Sequence, residues 1–213
     1  MFDCRMVKKN MQTNYQLLLD NELKKIQEQG VKQTLLLHVC CAPCSSYVLE
    51  YLHKYFKITV YYYNPNISPE DEYFKRAQEV KRLCRDMKLD DVSVIVENYD
   101  PASFYDLASG LENEPERGKR CVKCYRLRLE ASAIYAKAHS FDYFTTTLTI
   151  SPLKNAQMLN EIGAEMSQKY SVNYLFSDFK KREGYKRSIE LSRIYNLYRQ
   201  DFCGCEFSKN KNN

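Results

Sequence analysis

Seven of the nine cysteines fall in three short clusters: Cys40-Cys41-Ala42-Pro43-Cys44, Cys121-Val122-Lys123-Cys124 and Cys203-Gly204-Cys205. As thiolates these side chains are soft metal ligands and good nucleophiles. A lone Cys-x-x-Cys serves zinc, iron–sulfur clusters and dithiol redox chemistry alike. The combination is narrower, because seven thiols exceed one four-ligand site and leave three for a second metal or a redox pair. Cysteines that merely fill a core do not gather in polar loops. The two outside the clusters read differently: Cys84 lies in a helical pattern and reads as a small core residue, Cys4 as part of a frayed tail. The reading that unites the three clusters is that the fold gathers them around iron.

Two partitions are open. If Cys40 and Cys41 stay extended, their side chains point to opposite sides and each could serve a different centre. If the loop curls, both can join Cys121 and Cys124, leaving Cys203 and Cys205 as a redox pair; this second partition is the favoured one. Gly204 gives the tight Cys-Gly-Cys turn the backbone freedom it needs.

The elements that must position these loops follow from the pattern. Leu35-Leu36-Leu37-His38-Val39-Cys40 reads as a buried strand over 34–40 that ends in the cysteine loop, with a helix over about 45–55. Residues 57–63 and 92–96 read as the next strands, 142–148 as a fourth and 172–176 as a fifth. Helices are expected over a polar N-terminal segment ending near Gly30, from Ser68-Pro69 to about Met87, after Asp100-Pro101, from the Cys121 loop through Tyr135, to about Tyr170, and over 187–199. The Cys121–Cys124 pair would then sit near a helix N-terminus, where the dipole favours thiolates. Strands separated by helices predict a single-domain α/β fold with a mostly parallel sheet and flanking helices. Its expected layout is an N-terminal helical extension over 1–33, the α/β domain over 34–208 and a disordered tail over 209–213.

Composition bounds the function. At 213 residues the chain suits one domain with a real core. No apolar run approaches the roughly 20 residues of a membrane span and no signal-peptide core is visible, so a cytoplasmic protein is expected. In a reducing compartment so many thiols point to metal or redox chemistry rather than to disulfides. Residues 116–128 carry six basic and one acidic side chain, and residues 180–199 seven and two. Such patches suit a polyanion such as RNA, although solvated helix faces give the same pattern. The loop after the first strand has no glycine, against ATP binding, and no Asp-x-His-x-x-Gly arrangement for ligating cobalamin is present. His38, inside an apolar strand, reads as a satisfied core histidine.

Several stretches together resemble a known family. They are Cys-Cys-Ala-Pro-Cys after the His-bearing strand, Tyr-Asn-Pro-Asn-Ile (63–67), Arg-Cys-x-x-Cys-Tyr-Arg-Leu-Arg-Leu (120–129) and Phe-Thr-Thr-Thr-Leu (144–148). Ser-Pro-x-Lys (151–154), Asp-Phe-Lys-Lys-Arg-Glu-Gly-Tyr (178–185) and Tyr-Arg-Gln-Asp-Phe-Cys-Gly-Cys (198–205) complete the set. In order, from about residue 34 to 208, they resemble the cobalamin-independent epoxyqueuosine reductases, the QueH type.

The resemblance implies a HUP-like, adenine-nucleotide-hydrolase-type fold. The implied activity is reduction of epoxyqueuosine to queuosine at the tRNA wobble position, the last step of queuosine biosynthesis, by an oxidoreductase with an unidentified electron donor. Its substrates would be the tRNAs for Tyr, His, Asn and Asp, which carry GUN anticodons. The implied cofactor is a 4Fe–4S cluster, with a possible second mononuclear metal, iron or zinc. On this basis Cys40, Cys41, Cys121 and Cys124 are expected to hold the cluster, and Cys203 and Cys205, with Cys44, to form the redox pair or the second metal site. Lys180, Lys181 and Arg182 could hold anticodon-loop phosphates, Tyr61 to Tyr63 could stack on a flipped base, and Asp178 or Tyr185 could donate protons. The rival readings are a zinc-stabilised RNA-binding module without redox activity, which leaves three thiols unused, and a dithiol oxidoreductase, which leaves the basic patches unexplained.

Overall fold

The structure, a computed structural model, describes residues 13–209. Cys4 and most of the tail expected over 209–213 lie outside the described residues. In chain order the elements are α1 (Tyr15–Gln29), β1 (Gln33–His38), α2 (Ala42–Leu52), β2 (Phe56–Tyr62), α3 (Glu70–Asp86), β3 (Val92–Val96) and α4 (Ala102–Ala108). They continue with α5 (Lys119–Ala138), β4 (Tyr143–Thr146), α6 (Ala156–Tyr170), β5 (Asn173–Tyr174), α7 (Gly184–Ile194) and α8 (Glu206–Lys209).

The strands form one sheet in the order β3-β2-β1-β4-β5, and every neighbouring pair is parallel. This is the mostly parallel, helix-flanked α/β sheet that the alternation of strands and helices predicts. The pleat of β1 shows how the two layers are specified. Leu35 and Leu37 pack with Leu19, Val48 and Val60 on one face, whereas Leu36 packs with Leu129, Phe144 and Leu159 on the other. A strand buried on both faces must be apolar throughout, as β1 is. Helix α1 closes the first face through Leu19, Leu23 and Ile26, an i, i+4, i+7 stripe. Asn14 caps its start by accepting from the Leu17 N–H, and Gly30, at φ 71°, ends it as the sequence predicts.

β1 lies at the centre, with β2 on one side and β4 on the other. The chain order reverses there, and in sheets of this kind the crevice beyond the carboxyl ends of those two strands is the natural binding site. The cysteine loop leaves β1 at that point, and Ser151–Asn155 leaves the β4 side.

Several boundaries differ from expectation, among them the fifth strand, read over 172–176 but paired only over Asn173–Tyr174. The run read as strand 142–148 pairs only over Tyr143–Thr146 and then curls into a 3-10 turn over Thr147–Ile150, because the Thr146 hydroxyl caps the Leu148 N–H at 3.2 Å. α2 starts at Ala42 rather than near 45, with Pro43 in its first turn, where a missing N–H costs nothing. The last long helix begins at Gly184, inside the stretch read as a basic loop, and ends at Ile194 rather than 199. Glycine disfavours helix, but here a Cβ would lie 2.1 Å from the Phe179 carbonyl and 2.4 Å from the Tyr47 ring, so close packing against α2 dictates it. Cys84 is buried in the core, as read.

Candidate metal centre

The first cysteine loop builds a tight cluster of thiols. Cys41 remains extended, at φ −167° and ψ 159°, and serves as the N-cap residue of α2. The first turn of α2 then brings Cys44 back, so that the sulfur atoms of Cys40, Cys41 and Cys44 all lie within 4.8 Å of one another. Cys40 and Cys41 Sγ are 3.8 Å apart. The extended backbone therefore does not send the two neighbouring thiols to separate centres. Negative charge on them faces the amino end of α2, where the helix dipole favours it.

Charge is shared unequally in this set. Hydrogen bonding from Cys41 and Cys44 holds Cys40 well below the ordinary thiol range. The same bond to Cys40 pushes Cys41 up to about 12 and Cys44 upward as well. One thiolate with two donors is the arrangement three crowded thiols reach before any metal displaces the protons.

The remaining clustered thiols form a second neighbourhood. Cys121 and Cys124 occupy the first turns of α5, and the Cys121 sulfur accepts from the Arg117 N–H at 3.2 Å. Burial raises Cys121, and burial together with the charge of Cys203 pushes Cys124 up to about 11. Burial also pushes Cys205 up to about 12, with Cys203 and Cys124 adding to the effect. Cys124 and Cys205 share a small apolar cluster with Phe104 and Ala108. Cys203 links the two neighbourhoods, since it lines a cavity of about 330 Å³ with Cys40, Cys44, Lys154, Gln200 and Phe202. A larger groove, about 700 Å³ between α1 and β5, contains no thiol.

The segment carrying Cys203 and Cys205 is tied to α3. The buried Arg76 pairs with Glu72 at 2.6 Å and donates to the Cys203 carbonyl at 3.2 Å, while the Ser68 N–H donates to the Gly204 carbonyl at 2.9 Å. Gly204 sits at φ 104°, and a Cβ there would lie 2.9 Å from Ile67 and 3.0 Å from Arg76, so this turn needs glycine as the sequence suggests. Glu79 accepts from the Tyr198 N–H at 2.8 Å and from Arg82 at 2.6 Å. The Arg82 bond holds the Glu79 carboxyl below its usual 4.5, so its anchoring is complete above that pH and fades as the pH falls through the lowered value. Glu79→Gln at neutral pH should therefore speed exchange of the Tyr198 amide roughly tenfold, since a bond to a charged acceptor is worth about 1.5–3 kcal/mol. Acidification of the wild type should lower the protection of the Tyr198 amide relative to that of the β1 amides, read by hydrogen exchange corrected for the slower intrinsic rate at low pH. Unchanged exchange in the variant would remove Glu79 as an anchor.

Two cations missed in the sequence serve the site. Lys154 lines the thiol cavity. Burial works against its charge, but the thiolates of Cys203 and Cys40 hold its pKa above the ordinary lysine value. Arg128 lies fully buried behind the thiols, donating to Asn64 Oδ1 at 2.7 Å and to His38 Nε2 at 3.3 Å. Nε2 also lies 3.2 Å from the Tyr63 carbonyl, and Nδ1 2.9 Å from the Thr146 hydroxyl; the Arg128 contact takes Nε2 as acceptor and the Tyr63 contact takes it as donor, so the two exchange with the tautomer. His38 is kept neutral by burial and by Arg128, with a pKa lowered to about 3, which fits the core-histidine reading. Both cations stood in motifs already visible, the Ser-Pro-x-Lys stretch and the helix after Cys124.

Other candidate residues lie apart from the thiols or are engaged. Lys180 pairs with Asp178 at 3.0 Å and donates to the Thr149 carbonyl at 3.0 Å, and Arg182 pairs with Asp20. Lys181 is exposed with no side-chain partner among the described residues. All three line a groove of about 600 Å³ that also contains Lys154 and Asp178, so Lys154 borders both this groove and the thiol cavity. Tyr61 and Tyr62 are buried in the core, which excludes them as open stacking platforms. Tyr185 is exposed and does not line the thiol cavity.

No helix among the described residues is long and apolar enough to cross a membrane. Among solved structures, an NH3-dependent NAD synthetase from Campylobacter jejuni, in complex with the nitrate ion, superposes with a TM-score of 0.46 at 16% identity, covering 88% of this chain and 76% of that one. Sequence relatives are far nearer. Epoxyqueuosine reductase QueH of Staphylococcus epidermidis is 43% identical over 95% of this chain and 87% of its own length. The Streptococcus pyogenes protein of the same name is 41% identical over 93% and 79%, and that of Thermotoga maritima 34% over 82% and 90%. A family model described as epoxyqueuosine reductase QueH matches residues 35–211, a span that holds all seven clustered thiols, Arg128 and Lys154. With a match of that extent, the chain belongs to the epoxyqueuosine reductase QueH family.

Proposed function

We propose that the protein is an oxidoreductase that removes the epoxide oxygen of epoxyqueuosine in tRNA, giving queuosine, the last step of that modification, with GUN-anticodon tRNAs as substrates and the cytoplasm as its compartment. The observation that carries the reading is the convergence of three thiols within 4.8 Å at the carboxyl end of β1, beside a cavity that Cys203 and Lys154 complete.

The donor chemistry fits an iron–sulfur group, which takes thiolate ligands. Four thiols, Cys121, Cys124, Cys203 and Cys205, form one set suited to a 4Fe–4S cluster, and Cys40, Cys41 and Cys44 suit a second, mononuclear metal. A second assignment gives the cluster to Cys40, Cys41, Cys121 and Cys124 and joins Cys44 to Cys203 and Cys205; one cavity lined by Cys40, Cys44 and Cys203 is compatible with it. When bound, such centres supply single electrons and Lewis acidity.

Converting the epoxide to an alkene with loss of water consumes two electrons and two protons. The chain's own part is binding, orientation and charge. Lys154 Nζ presents N–H donors to the cavity, placed to meet an epoxide oxygen as negative charge develops on it. Phe202 and Leu153 give the cavity an apolar wall. Exposed Arg117, Lys119 and Lys123, with Lys181 on the groove that Lys154 shares, supply phosphate contacts. Lys180 and Arg182 add to that patch once tRNA competes for their carboxylate partners.

The test is metal analysis of protein purified without oxygen, combined with nucleoside analysis of tRNA before and after reduction. About four irons and four sulfides per chain are expected, with a fifth metal for the second site and epoxyqueuosine converted to queuosine. Cys205→Ser should lose cluster iron and sulfide while Cys41→Ser loses only the single metal; the reverse result selects the second assignment. Zinc alone, without sulfide and without turnover, would overturn the reductase reading in favour of a zinc-stabilised RNA-binding module.

A further inference from the structure

Arg128 is 2% exposed, yet no carboxylate among the described residues pairs with it. Arg76, equally buried, has Glu72 at 2.6 Å. The acceptors of Arg128, Asn64 Oδ1 and His38 Nε2, are both uncharged. A buried guanidinium without a counter-charge is strongly destabilising, and something must supply one. On α5 it lies four residues beyond Cys124, one turn along the same face. Through His38 it touches the strand end that carries Cys40 two residues later. Once ionised, Cys124, Cys40 and Cys203 are the groups whose negative charge supports it, and Cys124 is also its hydrogen-bond partner.

We propose that Arg128 is the fixed counter-ion of the thiolate site, a positioning residue that spans the α5 and β1 thiol sets and favours the metal-loaded state by its charge. Charge counting gives the sign. Four neutral thiols have no charge, whereas a divalent ion held by four thiolates leaves a net charge of −2, with the released protons going to solvent. A permanent positive charge beside them favours the loaded state. Asn64 is the aiming device: its amide donates to the Val39 carbonyl at 2.9 Å while its oxygen holds the guanidinium at 2.7 Å.

The inference rests on the reading of the clustered thiols as metal ligands, and the experiment separates the two. Metal-free, reduced protein is titrated with Co²⁺ alone, following the thiolate-to-cobalt charge-transfer band, for wild type, Arg128→Gln, Arg128→Lys and Asn64→Asp. Arg128→Gln should weaken binding by roughly 10–100-fold, the usual effect of removing a partner just outside the ligand shell, while Arg128→Lys stays within a few fold of wild type. Asn64→Asp keeps the guanidinium and nearly the same shape but supplies a competing carboxylate, so it should weaken binding in the same direction even if Arg128→Gln fails to fold. Wild-type affinity in both Arg128→Gln and Asn64→Asp would overturn the proposal. Equal weakening in Arg128→Lys and Arg128→Gln would also overturn it, because shape rather than charge would then be responsible. Absence of a thiolate band in the wild type itself would instead overturn the metal-ligand reading, and this inference with it.

Discussion

Cys124→Ser protein, purified without oxygen, is expected to lack cluster iron and sulfide and to have lost more than about a hundredfold in epoxyqueuosine reduction, since changes merely outside a ligand shell already cost 10–100-fold. Cys124 belongs to the cluster in either ligand assignment, so the expectation does not depend on choosing between them. The fold should survive, because serine is nearly isosteric and the residue sits at the amino end of α5, away from the two main cores. Cys84→Ser is the matched control. That thiol is buried among the α3 and β3 core residues and does not line the thiol cavity, and burial pushes its pKa up to about 12. It should keep metal and turnover and lose about 1–3 kcal/mol of stability from burying a hydroxyl. Iron and sulfide analysis, thermal melting and nucleoside mass spectrometry read all three quantities. Full iron retention in Cys124→Ser would remove it from the ligand set.

Phe144→Ala should show the opposite profile. The ring is fully buried, pairs in register with Leu36, and meets Tyr174 at a centroid distance of 5.1 Å. Truncation leaves a cavity between the sheet and α5–α6, for a loss of about 3–5 kcal/mol. For a chain of this size that lowers the melting midpoint by roughly 6–20 °C. Metal content per folded molecule should stay near that of wild type, because the thiols lie beyond the end of β1, in the first turns of α2 and α5 and on the strap after α7. A shift of only a degree or two would mean that α5 and α6 close onto the gap, and that this layer is softer than its packing indicates.

The strands and the thiols were legible in the sequence because both follow short-range rules. A doubly buried parallel strand must be continuously apolar, which marks β1, and Val92–Val96 was bounded correctly by turn residues. Gly30 and Gly204 announced a helix end and a tight turn through their own conformational needs. What was hidden depends on partners distant in sequence. Nothing local marks Gly184 as a helix start, since the reason is the Tyr47 ring on α2. Arg128 reads as one more cation in a basic run, and only the tertiary placement of Asn64 and His38 shows that it is buried. The same holds for Lys180 and Arg182, whose carboxylate partners become visible only in three dimensions. The grouping of Cys44 with Cys40 and Cys41 depends on where α2 begins, three residues earlier than periodicity indicated.

The strap that carries Cys203 and Cys205 has a bearing on biogenesis. In vectorial synthesis these two thiols leave the ribosome after every strand of the sheet, and they reach Cys121 and Cys124 only once α3 is folded and Arg76 can grip the Cys203 carbonyl. Where Cys121, Cys124, Cys203 and Cys205 hold the cluster, a nascent chain displays the first five clustered thiols with the cluster set still half made. Cluster capture is then a late event that certifies a finished fold.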